Sequence, residues 1–116
     1  MSDCIFCKIV EGKIPSKKVY EDEDLYAFLD INPAAPVHIL VIPKVHVESL
    51  KDCDESHATM LGKLFLKVGE IAKDQGLNDG FRTIVNTGRI GGQEVYHLHA
   101  HILGGPQPVG PMLVRR

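Results

Sequence analysis

Three of the chain's six histidines fall within five residues, His97-Leu98-His99-Ala100-His101. Side chains on a strand switch faces at every residue, so this alternation predicts three imidazoles on one face and Leu98, Ala100 and Ile102 on the other. Chance placement on a solvated edge strand is the bland alternative, and it uses half of a scarce residue type for nothing. Near neutral pH an imidazole can act as nucleophile, proton carrier or metal ligand. Read as catalytic zinc ligands, two of the histidines could share an ion with a third donor and a water. Distance weakens that reading: at about 3.3 Å per residue, His97 and His101 would lie about 13 Å apart, too far for all three to meet one ion. Nucleophilic catalysis fits better, with one neutral imidazole attacking an electrophilic centre while its neighbours stabilise the anionic group in transfer.

The preceding Asn86-Thr87-Gly88-Arg89-Ile90-Gly91-Gly92-Gln93 suggests what that anionic group is. Gly88, Gly91 and Gly92 would let backbone N–H groups approach a phosphate closely. A second chemical signal lies near the start, where Cys4-x-x-Cys7 points to metal or redox chemistry rather than a structural disulfide. Cys53 is left over as a plain thiol.

These residues need elements to hold them. Asp3 can cap a short helix ending at Gly12, on which Ile5 and Ile9, and Phe6 and Val10, form i,i+4 pairs and Cys4 and Cys7 share a face. Val19–Glu21 and Leu25–Leu29 flank the acidic turn Asp22-Glu23-Asp24 and predict a hairpin. After Asn32-Pro33-Ala34-Ala35-Pro36, the apolar, β-branched Val37–Ile42 reads as a buried central strand stopped by Pro43. From Asp54 to Gln75, apolar residues recur every three or four positions, predicting an amphipathic helix capped by Asp54 and ended by Gly76. Phe81–Val85 and Val95–Leu103 supply the fourth and fifth strands. The class is α+β, a five-stranded antiparallel sheet with one long helix and a short N-terminal one. Pro106, Pro108 and Pro111 make the tail, through Met112, an extended segment.

Composition narrows the partners. At 116 residues the chain has room for one domain, and 44% hydrophobic with 24% charged residues is ordinary globular composition. Thirteen Lys and Arg against fifteen Asp and Glu give a net charge of -2, with no basic excess for a nucleic-acid polymer. No apolar run approaches the roughly 18 residues that span a bilayer. Met1-Ser2-Asp3-Cys4 does not read as a secretory signal, so a cytoplasmic home is expected.

The stretch from Gly92 to Gly105, with His97-Leu98-His99-Ala100-His101-Ile102-Leu103 at its centre, resembles the signature of the histidine triad (HIT) superfamily, His-φ-His-φ-His-φ-φ with φ apolar. Phe28–Pro33 and His38–Lys44 resemble the family's second and third strands, so the likeness covers essentially all of residues 1–116. The most similar branch is the bacterial nucleotide-binding one, purine nucleoside phosphoramidases. The resemblance implies a homodimer with joined sheets and a purine nucleoside monophosphate pocket in each subunit. It implies His99 as the nucleophile on the α-phosphorus, His101 and His38 as supporting catalytic histidines, and Asp30 as the ribose ligand. Phe28 and Ile31 would line the base pocket, and Asn86, Gly92, Gln93 and Glu94 would contact phosphate. Core packing is the alternative for Phe28 and Ile31, turn capping for Asp30, and a solvated glutamate for Glu94, where many animal members carry serine.

Triad proteins with a cysteine pair imply one more site, a structural zinc held by Cys4, Cys7, His46 and His97. Small apolar cysteines and a solvated His46 are its alternative. The expected reaction is hydrolysis of the P–N bond of purine nucleoside phosphoramidates through a nucleotidyl-histidine. A dinucleoside polyphosphate hydrolase and a nucleotide-binding regulatory protein with incidental activity are the competing functions.

Overall fold

Asp22 shapes the first turn of the sheet. Its Oδ1 accepts from the backbone N–H groups of Asp24 and Leu25, both at 2.8 Å, and its Oδ2 accepts from the Tyr20 hydroxyl at 2.7 Å. The turn joins β1 (Lys18–Glu21) to β2 (Leu25–Leu29) as the predicted antiparallel hairpin. The computed structural model describes residues 3–111, so Met1, Ser2 and Met112 lie outside the described residues. With β3 (Val37–Pro43), β4 (Arg82–Ile84) and β5 (Ala100–Gly104), the sheet runs β1-β2-β3-β5-β4 and is antiparallel throughout. The α+β class with one long and one short helix is the observed one. No helix among the described residues is long and apolar enough to cross a membrane.

The central strand β3 is apolar on both faces because both are covered. Ile39 and Val41 meet Leu64, Val68, Ile71 and Ala72 of the long helix α2 (Ala58–Asp74), together with Ala100 and Ile102 of β5. Leu40 and Ile42 point the other way, onto Phe6 and Ile9 of the short helix α1 (Ile5–Val10) and onto Tyr26 and Phe28. The period of two along β3 thus divides the core into an α2 side and an α1 side.

Several boundaries differ from expectation for local reasons. Cys4, not Asp3, caps α1, its sulfur accepting the Cys7 N–H at 3.3 Å. Asp54 caps a single 3-10 turn, Glu55–His57, that leads into α2, and His57 Nδ1 takes the Asp54 N–H at 3.0 Å. The strand β4 is shorter than Phe81–Val85. The main correction concerns β5, which starts at Ala100 rather than Val95, so His97 and His99 precede the strand. Instead of continuing beside β3, the chain bends at 95–97. There the Pro43 carbonyl is bonded by the His97 ring at 2.8 Å, and the Leu98 N–H reaches the Val47 carbonyl at 2.8 Å.

Candidate active site and metal-ligating cluster

Although two of the histidines lie off the strand, all three face the α1 side of the sheet. Phe6 on α1 sits edge-on to His97 and His99, with ring centroids 5.9 and 5.2 Å away, and His99 lies 5.0 Å from His101. The expected alternation therefore holds in facing, with Ala100 and Ile102 buried on the α2 side. Phe6 is a site residue that sequence reading missed. Its i,i+4 pairing with Val10 accounted for it as helix packing, and nothing local signalled that its ring would abut the histidines.

Hydrogen bonds fix which nitrogen of each ring carries the proton. His99 Nδ1 lies 2.8 Å from the His97 carbonyl, which can only accept, so Nδ1 donates and the lone pair is on Nε2. At His38, Nδ1 accepts the Ala34 N–H at 3.0 Å, which places the proton on Nε2, and Nε2 donates to His101 Nδ1 at 2.9 Å. His101 therefore carries its own proton on Nε2. Asp30 Oδ2 lies 3.5 Å from His38 Nε2, while Oδ1 accepts the Asn32 N–H at 2.7 Å, so Asp30 also caps its turn. Asp30, His38 and His101 are close enough together to suggest a metal, but His38 has no free lone pair to offer one.

Burial keeps the rings of His99 and His101 neutral. It holds His99 below the usual histidine range, against weaker opposing pulls from the His97 carbonyl and from Asp30 and Glu94. Burial, with His99 and His38 alongside, holds His101 down to about 4. Both are thus neutral at pH 7 in the ligand-free chain, as a nucleophile must be.

His99 and His101 border a cleft of about 480 Å³. Phe6, Phe28 and Leu40 give it an apolar floor, while Asp30, Asn86, Gly92, Glu94, His99 and His101 supply polar groups. Ile31 sits at its rim, 90% exposed, and Phe28 is buried. Size, apolar lining and a few convergent polar groups are what a small-molecule site requires. Of the residues expected around a nucleotide, His38 and Gln93 stand behind this lining.

The glycine loop departs from expectation in its bonding. The N–H of Gly88 goes to Gln93 Oε1 at 2.9 Å, that of Gly91 to the Thr87 carbonyl at 3.2 Å, and that of Gly92 to the Arg89 carbonyl at 3.2 Å. These donors hold the loop's own shape and are not displayed to an anion. Asn86 adds a bond from Nδ2 to the Gly91 carbonyl at 2.8 Å. Gly91 is required sterically, because a Cβ there would meet the Thr87 oxygen at 2.4 Å.

Cys4, Cys7, His46 and His97 come together as expected, with one donor atom of each within 4.8 Å of the others. Cys4 Sγ lies 3.3 Å from His97 Nδ1, and Cys7 Sγ lies 3.4 Å from His46 Nδ1 and 3.6 Å from His97 Nδ1. Tetrahedral zinc with bonds of about 2.3 Å to sulfur and about 2.1 Å to nitrogen sets sulfur–nitrogen separations of about 3.6 Å. The cluster fits. His97 is fully buried, and its Nε2–H donates to the Pro43 carbonyl, leaving Nδ1 as the lone pair that could hold a metal. Burial, opposed by that bond, holds His97 down to about 4, and burial with the neighbouring Cys4 pushes the Cys7 thiol up to about 11. A cation would be needed to make that thiol a thiolate at neutral pH.

Comparison with known proteins agrees with this arrangement. Residues 11–107 match the family described as HIT domain. The chain is 46% identical over 115 residues to the purine nucleoside phosphoramidase of Escherichia coli K12, covering 98% of this chain and 96% of that one. It is 50% identical over 108 residues to a 14 kDa zinc-binding protein of Zea mays, covering 91% and 84%. A histidine triad protein from Clostridium difficile, solved at 0.95 Å, superposes with a TM-score of 0.91 at 49% identity over 98% of each chain. With His99 and His101 lining one cleft, His97 in the cysteine–histidine cluster beside it, and the match running through most of its length, the chain belongs to the HIT family.

Proposed function

We propose that this chain hydrolyses purine nucleoside 5'-phosphoramidates at the P–N bond. The observation that carries the reading is the bond from His99 Nδ1 to the His97 carbonyl, which leaves the Nε2 lone pair of a neutral, cleft-lining imidazole as the attacking group. In the proposed reaction Nε2 attacks the α-phosphorus and the P–N bond breaks, the amine leaving with a proton drawn from solvent, which the water of the second step returns. Water then adds to phosphorus and breaks the P–Nε2 bond, releasing the nucleoside monophosphate and restoring His99. His101, whose Nε2 carries the proton, hydrogen-bonds the phosphoryl oxygens, and His38 holds it in that tautomer. Asp30 receives the ribose hydroxyls, Phe28 and Ile31 border the purine, and Asn86, Gly92 and Glu94 stand at the phosphate end. Zinc in the cysteine–histidine cluster would supply a structural crosslink between α1 and the sheet, through Cys4, Cys7, His46 and His97.

The relative named purine nucleoside phosphoramidase supports this substrate class. The test is steady-state turnover of adenosine 5'-phosphoramidate beside a diadenosine polyphosphate. Faster turnover of the phosphoramidate, with an AMP-sized mass adduct trapped on His99, is expected. Preference for the polyphosphate would assign the alternative substrate, and binding without turnover would make the protein a nucleotide-binding regulator.

The working unit we propose is a homodimer. Its support is the outer edge of β4, which no strand among the described residues pairs, and the exposed Phe65 and Leu66 on α2.

A further inference from the structure

We infer that Gln93 is a positioning residue, which shapes the phosphate end of the cleft by bridging three stretches of backbone without touching the ligand. The inference rests on reading the cleft as a nucleotide site. Gln93 is buried, at 7% exposure, and its carboxamide is fully committed as a donor. Nε2 donates to the Glu48 carbonyl at 2.6 Å and to the Val95 carbonyl at 3.0 Å, and Oε1 accepts the Gly88 N–H at 2.9 Å. Two carbonyls on one side and an N–H on the other admit only this orientation of the amide. The Gln93 N–H also donates to the Gly88 carbonyl at 3.0 Å, so Gly88 and Gln93 close a two-bond ring across the base of the loop.

Each anchor bears on the cleft. Gly88 opens the loop, and Val95 follows Glu94, both of the latter lining the cleft. Glu48 belongs to the segment after β3 whose Val47 carbonyl holds the Leu98 N–H at 2.8 Å, next to His99. One side chain thus fastens the loop to the stretch that also fastens the approach to His99. Without it, one N–H and two carbonyls would lose their partners while buried, and loop opening to water would relieve that cost.

The test uses Gln93→Met, which keeps volume and burial but removes every side-chain bond. AMP should bind about tenfold more weakly or worse, adenosine within about twofold of the native chain, and Gly88 amide exchange should quicken. Native AMP affinity and Gly88 exchange in this variant would overturn the inference. So would equal losses for AMP and adenosine, which would mark a general structural role. If Gln93→Met does not fold, Gln93→Glu replaces it. That change keeps the acceptor for Gly88 but sets a carboxylate oxygen against two carbonyls, and the same split decides the matter. Should the native chain bind no AMP, the nucleotide reading fails, and Gly88 exchange alone judges the clamp.

Discussion

The Nδ1–H of His99 donates to the backbone carbonyl of His97, 2.8 Å away, while the His97 side chain belongs to the cysteine–histidine cluster. One residue therefore takes part in both sites, its ring in the candidate metal cluster and its main chain setting the tautomer of the proposed nucleophile. Because the contact is to backbone, no side-chain substitution at His97 removes the acceptor directly.

The proposed nucleophile gives the first prediction. His99→Ala should retain AMP affinity within a few-fold and lose phosphoramidate turnover by several orders of magnitude, as removal of a nucleophile does. Single-turnover assays beside calorimetric titration would measure the two. Substantial residual turnover would exclude His99 as the attacking group.

Metal content gives the second. Protein purified without added metal should contain about one zinc per chain, and a Cys4→Ala, Cys7→Ala double variant should contain none. The variant should melt at least about 5 °C lower, since about 1 kcal/mol moves a domain of this size that far. Equal melting temperatures with and without zinc would remove the structural role. Loss of turnover on chelation with the melting temperature unchanged would instead make the metal catalytic.

Acid should act on the cleft through His101. Its pKa, held to about 4 chiefly by burial, lies below the 6.5 of an unfolded histidine. The folded state thus binds fewer protons between these values, and stability rises with pH across that window. The contribution is fully present above pH 6.5 and is lost as pH falls toward 4. Nitrogen-15 NMR of the ligand-free protein should place the His101 titration well below 6.5, and bound AMP, through its phosphate charge, should raise it. A ligand-free midpoint at or above 6.5 would contradict the buried neutral ring.

Much of this was legible in the residues because it depends on periodicity. Alternation put the three imidazoles on one face and Ala100 and Ile102 on the other, and the facing survived even where His97 and His99 left the strand. The strand boundary was not legible. The competing partner for the chain at 95–99 is a carbonyl 54 residues away, at Pro43, and local propensity carries no record of it. The glycine loop misled for a similar reason. Glycine permits close approach of an N–H, but whether that N–H meets a ligand or the loop itself is settled by tertiary bonds such as that from Gly88 to Gln93. Cys4 and Cys7 pointed to metal or redox chemistry by type and spacing, whereas a zinc with His46 and His97 as partners came from the family resemblance.

The outer face of α2 yields the last prediction. Gly62, Phe65, Leu66 and Gly69 lie three or four residues apart and so share one face, opposite Leu64, Val68 and Ile71. Phe65 is 48% and Leu66 72% exposed, and a Cβ at either glycine would meet nothing within 4 Å. Inside a helix each glycine costs about 1 kcal/mol relative to alanine, so within a lone chain these two are unexplained. A second copy packing its own α2 here, beside paired β4 edges, would make the missing Cβ atoms useful by allowing the helices to approach closely. Sedimentation equilibrium at micromolar concentration should then give twice the mass of 12.8 kDa. Leu66→Glu should shift the protein to monomer, and Gly69→Ala should weaken the dimer although it favours the isolated helix. A native monomer, or a Gly69→Ala variant that is more stable with association unchanged, would show that this face meets only water.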